Sequence, residues 1–357
     1  VSKGRRIVSR LALLLALAGD VAIHGVPPIP HGLSQASLSA ALAAQAQVTE
    51  DWLALEGVVG TAVGLDSPGE AVLKVYVTNL GAGLLPRSVA GVPVRVELTG
   101  PFVSLGEALP ADSRVEAGAR NGGAEDVDPK AGFPRPVPIG VSTGHPNVTA
   151  GTIGARVTDG REVFALSNNH VYAANNRGRS GDNLLQPGIA DGGRNPEDAV
   201  ATLYDFEPIG FCAGMACPSN RIDAAIALTT PDDVGTETPE GGYGQPRVDP
   251  FEATLGMRVQ KYGRTTGHTV GRVTGLNATI DVNYRTGVAR FTGQIVITGS
   301  DGEFSAGGDS GSLVVSKGIL TADRRPVGLL FAGSNTNTIA NPIDLVLERF
   351  GVRVDGG

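Results

Sequence analysis

Cysteine and histidine are scarce in this 357-residue chain, with two and five copies. The two cysteines, Cys212 and Cys217, do not amount to a zinc ligand set, because no histidine cluster lies near them. In an exported protein they are placed to close a small disulfide. Charged residues make up only 18%, too few for a chain built on long surface helices, which draw on Glu and Lys. No basic stripe runs through the body: Lys3, Arg5, Arg6 and Arg10 crowd the N-terminus, and residues 47–357 hold 25 basic against 35 acidic side chains. That acidic balance argues against nucleic acid as a partner. The apolar run Leu11–Ala18 is far shorter than the roughly 20 residues a membrane span requires, so no stable span is expected. A dinucleotide fingerprint is missing too: Gly57, Gly60 and Gly64 sit in no strand–glycine–helix unit. No cofactor and no metal is expected.

What the chain has in quantity is glycine and proline, 51 and 23 residues, a composition of many short strands joined by turns. The basic residues ahead of Leu11–Ala18, with the small-residue site Ala44-Gln45-Ala46, resemble an export leader over residues 1–46. A secreted or periplasmic location is the expectation, with an uncleaved cytoplasmic chain as the alternative. Residues 47–110 read as a small β-rich α+β domain, with strands over 58–65, 71–77 and 92–98 and a short helix starting at Leu85–Val89. Residues 111–136 are a polar linker, and the acids Glu125, Asp126 and Asp128 read as solvated charge rather than a metal site. Strands are expected over 152–157, 163–166 and 222–228, within a unit of residues 137–235. After a Pro, Gly and acid-rich linker at 236–251, residues 252–357 hold strands over 257–262, 270–276, 279–284, 289–297, 313–315 and 327–332. Regular short strands favour sandwiches or barrels. Asn341-Pro342 reads as N-cap and first residue of a helix over Ile343–Phe350, which Gly351 stops.

The chemistry centres on Gly307-Gly308-Asp309-Ser310-Gly311-Ser312, a serine presented on a glycine turn ahead of Leu313-Val314-Val315. A serine hydroxyl is a weak nucleophile without a base to take its proton and N–H groups to hold an oxyanion. Of the five histidines, His24 and His31 lie in the leader and His145 and His268 in no comparable context. His170 ends Phe164-Ala165-Leu166-Ser167-Asn168-Asn169, where an apolar strand opens into a polar loop, a suitable mount for a general base. Asp223 begins the apolar Ile222–Leu228, so its carboxylate is buried and needs a donor such as an imidazole N–H. Each residue alone has a bland structural reading; the order His170, Asp223, Ser310 is what changes it.

With these motifs the stretch 137–350 resembles the trypsin/chymotrypsin-type serine peptidases. Lys261-Tyr262-Gly263-Arg264-Thr265-Thr266-Gly267 also resembles a segment of the bacterial α-lytic and streptogrisin kind, and the plant narrow-leaf trypsin-like proteins are similar in style. The resemblance implies an all-β fold of two six-stranded antiparallel β-barrels with a cleft between them. It implies a serine endopeptidase acting on peptide or protein substrates, with Ser310 as nucleophile, His170 as base and Asp223 orienting it. The N–H groups of Gly308 and Ser310 would form the oxyanion hole, and Phe331-Ala332-Gly333 the edge that pairs with substrate. Arg264 is the expected partner of Asp309. Ser312, and Asn168-Asn169 ahead of the histidine, depart from the family pattern and are expected to crowd the cleft. The alternative is a binding or scaffold protein that kept the fold and lost turnover.

Overall fold

The computed structural model describes residues 33–66, 69–81, 85–105, 127–214, 216–318 and 323–357. The apolar run 11–18, His24, His31, Glu125 and Asp126 lie outside them. The chain is mostly strand with few helices. The first element among the described residues is helix α1 (Gln35–Leu53), whose N-cap Ser34 accepts a hydrogen bond from the Ser37 N–H at 3.1 Å, an arrangement worth about 1 kcal/mol. Leu38, Ala41, Gln45, Thr49 and Trp52 recur at helical spacing and form its buried face. The expected leader boundary therefore falls inside a packed helix: Ala44 and Gln45 are buried, and the Gln45 side chain donates to the Asn277 carbonyl at 2.8 Å.

Strands β1 (Val58–Leu65), β2 (Ala71–Val77), β3 (Ser88–Val89), β4 (Val92–Leu98) and β5 (Phe102–Ser104) follow. No helix starts at Leu85–Val89; that stretch runs into β3, which pairs antiparallel with β4. Next come β6 (Ser142–Thr143), β7 (Gly151–Thr152), β8 (Ala155–Thr158), β9 (Val163–Ser167), the short helix α2 (Asn169–Tyr172), β10 (Asn183–Leu185), β11 (Ala199–Phe206), β12 (Ser219–Asn220) and β13 (Ala225–Thr229). The remainder is β14 (Arg258–Gly263), β15 (Gly267–Tyr284), β16 (Gly287–Gly299), β17 (Leu313–Ser316), β18 (Pro326–Gly333), β19 (Thr338–Pro342), α3 (Ile343–Phe350) and β20 (Arg353–Val354). The two strands expected over 270–284 are one, β15, irregular where Asn277 adopts φ 51° and the register to β16 shifts. Pro342, not Asn341, is the N-cap of α3; the Asn341 side chain is needed elsewhere.

The sheets differ from two separate six-stranded units. One holds six strands in the order β10-β11-β13-β9-β8-β20, and another holds twelve, because β1 pairs antiparallel with β15 and brings β2, β4 and β3 with it. Strands β1–β5 of the expected first unit thus extend the sheet of the second half. Gly60 permits this: a Cβ there would meet the Ile280 side chain and approach the Thr279 carbonyl at 2.9 Å. The apolar core follows the same division, with one cluster running from Leu38 and Trp52 through Leu73 to Val259, Val314 and Leu330. A second joins Leu166, Ile226, Leu313, Leu329 and Val346, and so ties the two sheets together.

Candidate active site

His170 sits in α2, one turn long, immediately after β9. Its backbone N–H donates to Asp223 Oδ1 at 3.2 Å, and its Nδ1 lies 2.6 Å from Asp223 Oδ2. Asp223 lies ahead of β13 rather than within it, and it is fully buried. Its carboxylate also accepts from the Tyr284 hydroxyl at 2.8 Å, while its backbone is clamped by Asn341, which accepts from the Asp223 N–H at 3.1 Å and donates to its carbonyl at 3.1 Å. Asn168 donates to the same carbonyl at 2.7 Å. A buried carboxylate is tolerable with this many donors.

Asn168 and Asn169 therefore do not crowd a cleft. Asn169 is fully buried and spent on the fold, donating to the Glu207 carbonyl at 2.6 Å and to Asn176 at 2.8 Å. Ser312 is likewise turned back on its own loop, its hydroxyl donating to the Asp309 carbonyl at 2.6 Å. Tyr284 carries no site signal in the sequence, lying at the far end of a long strand, and Asn341 reads there only as a helix cap.

Ser310 lies on a turn set by Gly308 (φ 99°) and Gly311 (φ 93°), both in the left-handed region. A Cβ on Gly308 would run into Arg264 and lie 2.6 Å from Thr265 Oγ1. Gly151 brings the two halves of the site together: a Cβ there would come within 2.5 Å of Val171, the residue after His170, and 3.1 Å of the Ser310 carbonyl. The Ser310 hydroxyl donates to the Phe331 carbonyl at 3.2 Å. Among the described residues His170 Nε2 is buried with no hydrogen-bond partner. The Phe331–Gly333 edge is not bare: β18 pairs antiparallel with β5, Ala332 facing Ser104 and Gly333 facing Val103.

Arg264 is not the partner of Asp309. Its guanidinium spans both oxygens of Asp191, Nε to Oδ2 at 2.5 Å and Nη2 to Oδ1 at 2.6 Å. Asp309 is fully buried and instead faces Lys261, equally buried, at 3.5 Å. Its carboxylate also accepts from the N–H groups of Thr265 (2.8 Å), Thr266 (3.2 Å) and Ala306 (2.9 Å) and from the Thr266 hydroxyl (2.7 Å). The Arg-Thr-Thr-Gly segment thus holds Asp309 through two backbone N–H groups and the Thr266 hydroxyl, while its arginine pairs with Asp191.

The other two described histidines are engaged elsewhere, His145 with Asp182 at 3.1 Å and His268 with Gln260 at 3.0 Å. Burial, with Lys317 and Lys261 nearby, holds the His268 imidazole below its ordinary value of 6.5. The folded chain then binds a proton at His268 less readily than the unfolded chain. The resulting stability is complete above the unfolded value and lost as pH falls through the folded one. A His268→Gln variant is expected to flatten that part of a plot of urea midpoint against pH; an unchanged slope would refute the assignment.

Among the described residues no group of three or more His, Cys, Asp or Glu is placed to hold a metal ion. Residues 247–344, which include Ser310 and the Phe331–Gly333 edge but neither His170 nor Asp223, match the family described as the Nal1 C-terminal domain. Protein NARROW LEAF 1 of Oryza sativa subsp. japonica is 29% identical over 204 residues, 52% of this chain and 34% of that protein. The chain spans about a third of the length of this curated relative. Of solved structures, Thermobifida fusca Protease A matches at 23% identity and a TM-score of 0.42, over 62% of this chain and 100% of its own. Cellulomonas bogoriensis chymotrypsin matches at 20% identity and a TM-score of 0.40, over 62% and 99%.

Proposed function

We propose that this chain is a serine endopeptidase of the trypsin/chymotrypsin type, hydrolysing peptide bonds through an acyl-enzyme. Ser310 attacks the carbonyl, His170 takes its proton and returns it to the leaving amine, and Asp223 holds the imidazole. The N–H groups of Gly308 and Ser310 bind the oxyanion. The observation that carries this reading is the His170 ring. A carboxylate only accepts, so Nδ1 bears the proton shared with Asp223, and in the neutral ring Nε2 is then the acceptor. Nε2 is one of five buried side-chain polar atoms without a partner among the described residues, and the one of them on a ring that a carboxylate orients. Turnover in this reading requires the Ser310 hydroxyl to leave the Phe331 carbonyl and turn to that nitrogen.

A barrel in the second half is supported by the pairings of β15 with both β14 and β16, which link β14, β15, β16, β19, β18 and β17 in a ring. Export fits the disulfide between Cys212 and Cys217, since such bonds persist in oxidising compartments. Treatment with a fluorophosphonate tests the reading: an adduct on Ser310, absent from Ser310→Ala, is expected. An Asp223→Asn variant is expected to fold and to lose about 10⁴ in kcat, because the amide no longer fixes the tautomer. A loss below tenfold in steady-state peptide hydrolysis contradicts that role. The second reading, a binding or scaffold protein, is favoured by the Ser310 hydroxyl lying on Phe331 rather than on His170; a folded chain that takes no adduct supports it.

A further inference from the structure

β5 is three residues long, yet it is paired on both sides. Ser104 and Val103 face Ala332 and Gly333 of β18 antiparallel, and Phe102 and Val103 face Val282 and Asn283 of β15 in parallel. The next residue continues the ladder in a particular way. The Leu105 N–H donates to the Phe331 carbonyl at 3.2 Å, the same oxygen that accepts the Ser310 hydroxyl at 3.2 Å. The Leu105 carbonyl in turn accepts from the Gly308 N–H. The two main-chain groups of one residue, Leu105, are thus held between the carbonyl that takes the serine hydroxyl and the N–H that would stabilise a negative oxygen.

The Leu105 side chain is 4% exposed. Its Cδ1 would lie 3.1 Å from a Cβ on Gly333, so this glycine leaves the room it fills. Leu105 belongs to the apolar cluster that includes Phe304 and Leu330. Lys261, the cation beside the Phe304 ring, already donates to Thr266 and Gly267 and faces Asp309. An acidic side chain in the recess would therefore be buried without a dedicated partner, which is costly.

We propose that Phe102–Leu105 is an internal peptide ligand lodged in the acyl half of the cleft, and that the cleft accepts peptides with an aliphatic side chain where Leu105 now sits. The inference rests on the peptidase reading. Strand addition of this kind draws affinity from main-chain hydrogen bonds and specificity from side-chain recesses. Because the ligand is part of the chain, it competes at a high effective concentration, millimolar or above for a short tether. The parent chain is accordingly a slow enzyme that a change within β5 or at Leu105 accelerates.

The test uses the full chain with Leu105→Asp, and Leu105→Ala in case the charged variant does not fold. Fluorophosphonate labelling of Ser310 is expected to run at least about tenfold faster in the variant than in the parent, with the Gly308 amide losing hydrogen-exchange protection. In the freed chain, peptides with leucine at the acyl position are expected to exceed those with aspartate about 100-fold in kcat/KM, a difference typical of a buried recess. Brisk labelling of the parent, unchanged in either folded variant, overturns the inference and leaves the peptidase reading standing. Lost protection at Gly308 with no labelling in any form supports the internal ligand and removes the peptidase reading. Preference for a charged acyl residue overturns the substrate class.

Discussion

Alanine at Ser310 or at His170 is expected to lower peptide turnover by about a million-fold while leaving the fold intact. Residues that act as one unit lose nearly everything together, so the double variant should be scarcely slower than either single one, with a residual of roughly 10³ to 10⁴ over water from oxyanion binding alone. Ser310 is fully buried, and its hydroxyl makes a single hydrogen bond to a carbonyl that Leu105 also occupies. Its loss costs little structure. For His170 the argument is different, since its ring is gripped by Asp223 and faces Tyr284 edge-on at 5.8 Å. His170→Ala leaves the Asp223 carboxylate with the Tyr284 hydroxyl and one backbone donor, and a modest drop in stability is expected beside the kinetic loss. Measuring kcat on a common peptide and the urea midpoint for all three variants separates the effects. Multiplicative losses in the double variant would sink the idea of a single catalytic unit.

Removing the charge at Lys261 is the second large effect. Lys261 and Asp309 are both fully shielded from solvent and 3.5 Å apart, and breaking such a pair from one side typically costs 3–5 kcal/mol, roughly, because the remaining ion is stranded. A Lys261→Met chain is expected to lose about 3 kcal/mol, the low end, since four hydrogen bonds still reach the carboxylate. Adding Asp309→Asn should restore part of the loss, because no uncompensated ion is then left inside. Function should suffer as well: Asp309 anchors the turn that aims the Gly308 N–H, so labelling of Ser310 should slow in the single variant. Urea denaturation across the four-member cycle provides the check, and a single-variant loss below about 1 kcal/mol would contradict the pairing.

The site was legible in the sequence to the extent that its parts carry their own context. His170 follows an apolar run, Asp223 precedes one, and Ser310 stands between glycines that only a left-handed turn requires. Partnerships across the fold were not legible. Arg264 was the obvious cation for Asp309, yet the segment order alone could not show that Arg264 points to Asp191 and that a lysine inside strand β14 faces the acid. Asn341 reads as a cap because Pro342 follows it, whereas the fold spends its amide on the Asp223 backbone. Strands β5, β10, β11 and β19 escaped for related reasons. Three are short, β11 mixes tyrosine and aspartate with small residues, and the partners of β5 lie far along the chain at β15 and β18. The helix at 35–53 was hidden by a small-residue segment that suits a cleavage site equally well.

The shared ladder between β1 and β15 has a practical side. Gly60, Thr61 and Val63 hydrogen-bond along β15 opposite Ile280, Thr279 and Leu276. A fragment beginning after residue 105 would strip that cover and leave a run of unsatisfied amides beside buried aliphatics, the kind of exposed border on which neighbouring molecules assemble. Anyone trimming the gene to its serine-bearing half should expect a product that clumps, however sound its chemistry.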